Sequence, residues 1–221
     1  MPVRQCYNAR SRRKFLLRRD LPRGLRALSQ GRRSRRLIAG TASRSWAAKL
    51  LQFWFHDLEP SQWFGSNEQV DQQLRIRFER KLLALGGHPA EQFTHDPKTA
   101  QAAILLFDQV PRNIYRDTEK SFAFDHLARA ICKTFIAQEW DAELPDKERQ
   151  FIAMPLMHSE QLADQEASVK YFGTHLPGNL SFARKHHEMI EKFSRFPHRN
   201  DALGRETTPE EQAAIDAGFS W

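Results

Sequence analysis

Val70, Leu74, Phe78, Leu82 and Leu85 recur at steps of three or four residues. That spacing lines one face of an α-helix and suits no β-strand, whose side chains alternate with a period of two. Ser66 and Gln69 stand in front of the run with the spacing of a capping box, and Gly86-Gly87 stops it. The same signature, a cap followed by a periodic apolar stripe and a Gly or Pro stop, returns along the chain from about residue 45 onward. It predicts an all-α fold.

Ser45 opens a predicted helix from Trp46 to Asp57 that carries Leu50, Leu51, Phe53, Trp54 and Phe55. That helix is apolar nearly all round, so it belongs in the interior. Asp96-Pro97 is an N-cap with proline at the first helical position, and the helix behind it, with Ala100, Ile104, Leu105 and Phe107, is expected to end before Pro111. Asp125 caps a fourth helix with Leu127, Ile131 and Phe135. Pro145 starts a short fifth one through Phe151. Ser159 begins a sixth that stops at Gly173, and Asn179 a seventh with Met189, Ile190 and Phe193. Thr208-Pro209-Glu210-Glu211 is a second capping box, opening a last helix that stops at Gly218. About eight helices with short connections imply antiparallel neighbours packed in pairs. No sequence repeat of fixed period is visible.

Charge divides the chain unevenly. Residues 1–45 contain 14 Lys and Arg against one acid, Asp20, a net +13; residues 46–221 contain 20 against 26, a net −6, which together give the overall +7. The leader is Arg- and Ser-rich and lacks the apolar stretch of a secretory signal. Its readings are a disordered tail, sequence upstream of the true start, a transit peptide or a nucleic-acid-binding arm. The expected organisation is therefore a disordered basic leader, 1–45, before one helical domain, 46–221. The mild acidity of that domain argues against nucleic acid as its partner. Cys6 and Cys132 supply neither a disulfide framework nor metal-ligand spacing. No metal site, cofactor or membrane span is expected, and a reducing, cytoplasmic setting is, with an organelle matrix as the alternative if the leader is a transit peptide.

Two segments concentrate chemistry. Asp108-Gln109-Val110-Pro111-Arg112-Asn113-Ile114-Tyr115-Arg116 and Arg195-Phe196-Pro197-His198-Arg199-Asn200, the latter followed by Gly204-Arg205-Glu206, each set Arg and Asn beside a proline at the end of an apolar stripe. Guanidinium forks match carboxylates and phosphates, and Asn both donates and accepts. If the turns converge, Arg112, Arg116, Arg199 and Arg205 form an anion site. Equally, such side chains satisfy orphan helix-end carbonyls and pair with Asp108 or Glu206. A third segment, Met154 to Glu160 with Gln165 beyond it, brings His158 and Glu160, which with His198 are candidates for acid–base work.

These motifs resemble the bacterial domain-of-unknown-function 924 family over roughly residues 46–221. The resemblance rests on Phe53-Trp54-Phe55, on Asp108 to Arg116, on Met157-His158-Ser159-Glu160 with Gln165, and on Arg195 to Asn200 followed by Leu203-Gly204-Arg205-Glu206. It implies a tetratricopeptide-like all-α array and no biochemical activity. It also implies glycine at position 194, where this chain has Ser194.

Three functions stay open at this point. One is binding of an anionic or polar small molecule, or of a peptide carboxylate, by Asp108, Gln109, Arg112, Asn113, Arg116, His158, Glu160, Gln165, Arg195, His198, Arg199, Asn200 and Arg205. The second is a hydrolase-like enzyme using His158 or His198 with Glu160. The third is a helical scaffold for protein partners.

Overall fold

Phe53, Trp54 and Phe55 are consecutive and all buried, and the backbone accommodates them by leaving α-helical geometry. In the computed structural model, which describes residues 45–218, helix α1 covers 45–52 and passes into a π-helical turn at Phe53–Asp57. The wider turn redistributes side chains around the axis, so three neighbours reach the interior together. Trp54 and Phe55 pack edge-on against Phe151, and Trp63 donates its indole N–H to the Trp54 carbonyl at 2.8 Å. The next rod repeats the device. Helix α2 (Glu68–Leu74) joins α3 (Arg80–Leu85) through a π-helical turn at Arg75–Glu79. Phe78 from that turn meets Phe53 with ring centroids 5.9 Å apart.

The remaining helices are α4 (Pro97–Ile114), α5 (Asp125–Ala137), α6 (Asp146–Met157), α7 (Leu162–His175), α8 (Leu180–Phe193) and α9 (Pro209–Asp216). No strand occurs among the described residues, and the all-α expectation holds. With α2 and α3 taken as one rod, eight helical rods are present among those residues. The Arg-rich leader lies outside the described residues except for Ser45, which is already helical. Among the described residues no helix is long and apolar enough to cross a membrane.

Several boundaries differ from the sequence reading, each for a local reason. Helix α4 does not end before Pro111 but continues through it to Ile114. Proline in the last turn gives up a single backbone bond, and the Arg112 and Asn113 side chains donate to the carbonyls of Asp108 and Gln109 beside it. Helix α6 likewise outruns Phe151, passing through Pro155 to Met157. Asn67 rather than Ser66 caps α2, accepting from the Gln69 and Val70 amides. Asp125 is the first residue inside α5, not its cap. Helix α7 starts at Leu162 rather than Ser159 and runs past Gly173 to His175. The Thr208–Glu211 capping box forms as expected.

Consecutive helices from α4 to α8 pack on one another, and α2, α4, α6 and α8 also touch in a row. The result is a layered array. One large apolar cluster joins α1 to α6, a second joins α6, α7 and α8, and a third holds Met189, Ile190, Phe196 and Ala214. The C-terminal ends of α4 and α6 and the turn after α8 lie along the borders of these clusters, which is where the polar motifs sit.

Ser194 closes α8 in the left-handed region, φ +58°. A side chain there costs about 1 kcal/mol, which glycine avoids. Ser194 thus adopts the left-handed backbone that glycine takes readily, at a cost in stability. Ser194→Gly is expected to raise the unfolding free energy by about 1 kcal/mol and the melting temperature by about 2–4 °C; thermal melts followed by circular dichroism measure it.

Candidate functional site

Asp108 is an acid with no solvent exposure, in the middle of an apolar helix. Burying an isolated carboxylate is prohibitive, and three neighbours share this one. His158 Nδ1 lies 2.8 Å from Oδ1, Arg112 Nη1 lies 3.1 Å from the same oxygen, and Gln109 Nε2 donates to Oδ2 at 2.6 Å. Burial opposes ionisation of Asp108, but Arg112 and His158 outweigh it and hold the carboxyl well below its usual range. Arg112 in turn places two nitrogens on Asp125, both at 2.8 Å. The bidentate fork ties the end of α4 to the first turn of α5.

The turn after α8 enters the same centre. Arg199 is buried, its guanidinium 4.6 Å from the Phe122 ring centroid and 4.5 Å from that of Phe196. It donates to the His158 carbonyl at 3.0 Å and approaches Asp125 only to 3.7 Å. Its buried Nε has no hydrogen-bond partner among the described residues. Desolvation comes first, with repulsion from Arg112 behind it, and together they bring its pKa down to about 10. Glu160 accepts two bonds from Arg205, at 2.9 and 3.1 Å, and one from the Phe196 amide at 2.8 Å. The pairing expected between Glu160 and His158 is thus replaced by Asp108–His158 and Glu160–Arg205. His198 and His186 flank Phe196, each with its ring centroid 5.6 Å away, and His158 stands 6.3 Å from His186.

The two arginine motifs therefore meet, but not with all their members. Arg112, His158, His198, Arg199, Glu160 and Arg205 share one neighbourhood around Asp108 and Phe196. Arg116 turns the other way and forms a fork with Asp71 of α2 at 2.8 and 3.0 Å, with Asn113 behind it. Arg195 pairs with Glu211 of α9 at 2.6 and 2.8 Å, and Asn200 donates to the same carboxylate at 3.2 Å. Gln165 closes the end of α6, donating to the carbonyls of Met157 and Ser159 at 2.7 and 2.5 Å. Among the described residues no cluster of His, Cys and acids has the makings of a metal site. The sequence reading passed over Asp125 and Phe122 as site residues. Their only signal was position, Phe122 in the α4–α5 connection and Asp125 at the first residue of α5.

The profile of a family described as bacterial protein of unknown function, DUF924, matches residues 50–218. The chain belongs to the DUF924 family. A solved structure of a protein of unknown function from Agrobacterium tumefaciens is similar to it, with 31% identity and a TM-score of 0.75, over 80% of this chain and 99% of the other. No curated protein matches the sequence. Among the DUF924 motif residues read from the sequence, Gln109, Arg112 and His158 contact the buried Asp108 carboxylate and Arg199 joins them through the His158 carbonyl.

Removing that carboxylate should be costly. Asp108→Ala is expected to lower the unfolding free energy by about 3–5 kcal/mol, as for breaking a buried ion pair. Arg116→Ala, at a pair whose arginine is 32% exposed, should cost about 1 kcal/mol. Urea denaturation compares the two, and equal losses would contradict the central role of Asp108.

Acid sensitivity follows from the histidines. Burial is the first cause holding His158, His186 and His198 below the ordinary 6.5, His186 at about 2 and His198 at about 4. The unfolded chain then takes up protons before the folded one, so stability falls as pH drops from 6.5 towards 4. His186 and His198 each contribute a slope of up to about 1.4 kcal/mol per pH unit in that window. Melting temperatures recorded from pH 7.5 to 4.5 should decline steadily below 6.5; a flat profile to pH 5 would contradict this.

Proposed function

We propose that the DUF924 domain binds an anionic or polar small molecule, or a peptide carboxylate, on the face formed by Arg112, Arg199 and His158. The observation that carries this reading is Arg199. It is a desolvated guanidinium between two aromatic rings, with its nearest carboxylate at 3.7 Å and its Nε unbonded. A cation kept this poorly neutralised favours any anion that reaches it, because Coulomb attraction strengthens as water is excluded.

Asp125 defines the mode of entry. Its side chain is 23% exposed and presents two oxygens to Arg112 as a carboxylate or phosphate ligand would. The ligand takes the place of Asp125, which turns to solvent. Each charge-assisted bond formed is worth about 1.5–3 kcal/mol, offset by those given up, so wild-type affinity is modest. Arg116 and Arg195, paired on other faces, stay outside this ligand's reach.

Isothermal titration with inorganic phosphate and with succinate tests the exchange. Asp125→Asn should tighten binding about tenfold, which is 1.4 kcal/mol. Arg199→Lys, which keeps the charge but loses the planar fork, should weaken it by a similar factor. Circular dichroism verifies that both variants are folded. Equal affinity in all three proteins, or no heat in any of them, would refute the exchange.

A further inference from the structure

We infer that His158 and Asp108 form a general-base dyad that activates water for hydrolysis of a carboxylic ester held against Arg112 and Arg199. The inference rests on the binding reading above and adds a reaction to it.

The geometry is that of an oriented base. Asp108 takes His158 Nδ1 at 2.8 Å, and an ionised carboxylate only accepts, so the ring carries its proton on Nδ1 and leaves the Nε2 lone pair bare. Nε2 has no hydrogen-bond partner among the described residues, and the His158 side chain keeps 12% exposure. The backbone beneath the ring is fixed as well. Its own carbonyl accepts from Arg199, and its backbone amide donates to Met154 at the end of α6. Asp108 is fixed in turn by Gln109 and Arg112, so the base has a supporting shell on rigid helices. Burial also shifts His158 towards its neutral form, the state a base requires.

The guanidiniums supply the second half of the chemistry. Hydrolysis of an ester passes through a tetrahedral oxyanion, which preorganised donors stabilise. A water molecule gives a proton to Nε2 as its oxygen bonds to the ester carbonyl carbon. The carbonyl electron pair moves onto oxygen, facing Arg199 and Arg112 with Asp125 displaced. On collapse the bond to the alcohol oxygen breaks, and the leaving alkoxide takes the proton back from Nε2. One acid and one alcohol form, nothing is oxidised, and both residues return to their starting state. His158 is the catalytic residue here and Asp108 a positioning residue. Glu160, held by Arg205 and the Phe196 amide, takes no part.

The test uses the full chain and p-nitrophenyl acetate. Wild type should release p-nitrophenol at a saturable rate, and His158→Gln should lower kcat at least 100-fold with KM little changed. Because Asp108→Ala is expected to destabilise the fold, the positioning role is read from Asp108→Asn, whose kcat should fall with KM retained. Nitrogen NMR of labelled wild type supplies a readout independent of any substrate: His158 should carry its proton on Nδ1 from pH 6 to 8. Saturable hydrolysis lost in His158→Gln, together with that tautomer, supports the dyad. No hydrolysis above the buffer rate, unchanged hydrolysis in His158→Gln, or a proton on Nε2 overturns it. Titration with phosphate on the same samples separates the two readings, since anion binding without turnover removes the dyad and leaves the binding site standing.

Discussion

A single carboxylate without solvent contact, Asp108, is the constraint around which the polar half of this domain is arranged. An ionised acid in an apolar helix is tolerable only if several donors converge on it. Arg112 comes from one turn further along α4 and His158 from the end of α6. Arg199, from the turn after α8, fastens the His158 carbonyl. Three segments far apart in sequence are thereby fixed at one depth. Hydrophobic burial is non-directional and does not by itself specify which polar groups meet. Directional bonds to Asp108 select one register of α4 against α6.

The charge pairs sort into layers that serve different ends. At the periphery, Arg116–Asp71 and Arg195–Glu211 fasten α4 to α2 and the turn after α8 to α9. Glu211 does this while also accepting the Thr208 amide and the Asn200 side chain, so a capping box doubles as a latch. Nearer the centre, Arg199 is short of counter-charge, and His158 has one nitrogen engaged and one bare. Structural networks tend to leave no donor over; Arg199, with its Nε unbonded, departs from that, which is why the binding and catalytic readings fall beside it.

Fold class was legible in the sequence because helix periodicity and capping are local. The stripe from Val70 to Leu85 and the Thr208 box are read within a few residues. Pro111 misled because the apolar face of α4 is buried on both sides of it and the Arg112 and Asn113 side chains bond the carbonyls of Asp108 and Gln109, neither of which is visible locally. The motif residues were legible as a set, but their partners were not. Nothing local distinguishes Arg112, which reaches Asp125, from Arg116, which reaches Asp71. The answer depends on which helices flank α4, a tertiary fact. The same gap explains why His158 was matched with nearby Glu160 rather than with Asp108, fifty residues upstream.

The π-helical turns in α1 and α2–α3 bear on more than aromatic packing. Both lie in the first two rods, and they meet through Phe53 and Phe78. Each inserts one residue's worth of extra winding, so losing either would rotate everything on one side of it by about a hundred degrees. Neither could be lost alone without turning its aromatic rings out of step with the other's. Insertions and deletions in this part of the chain are consequently constrained in pairs, a coupling that substitution-by-substitution comparison of related sequences would overlook.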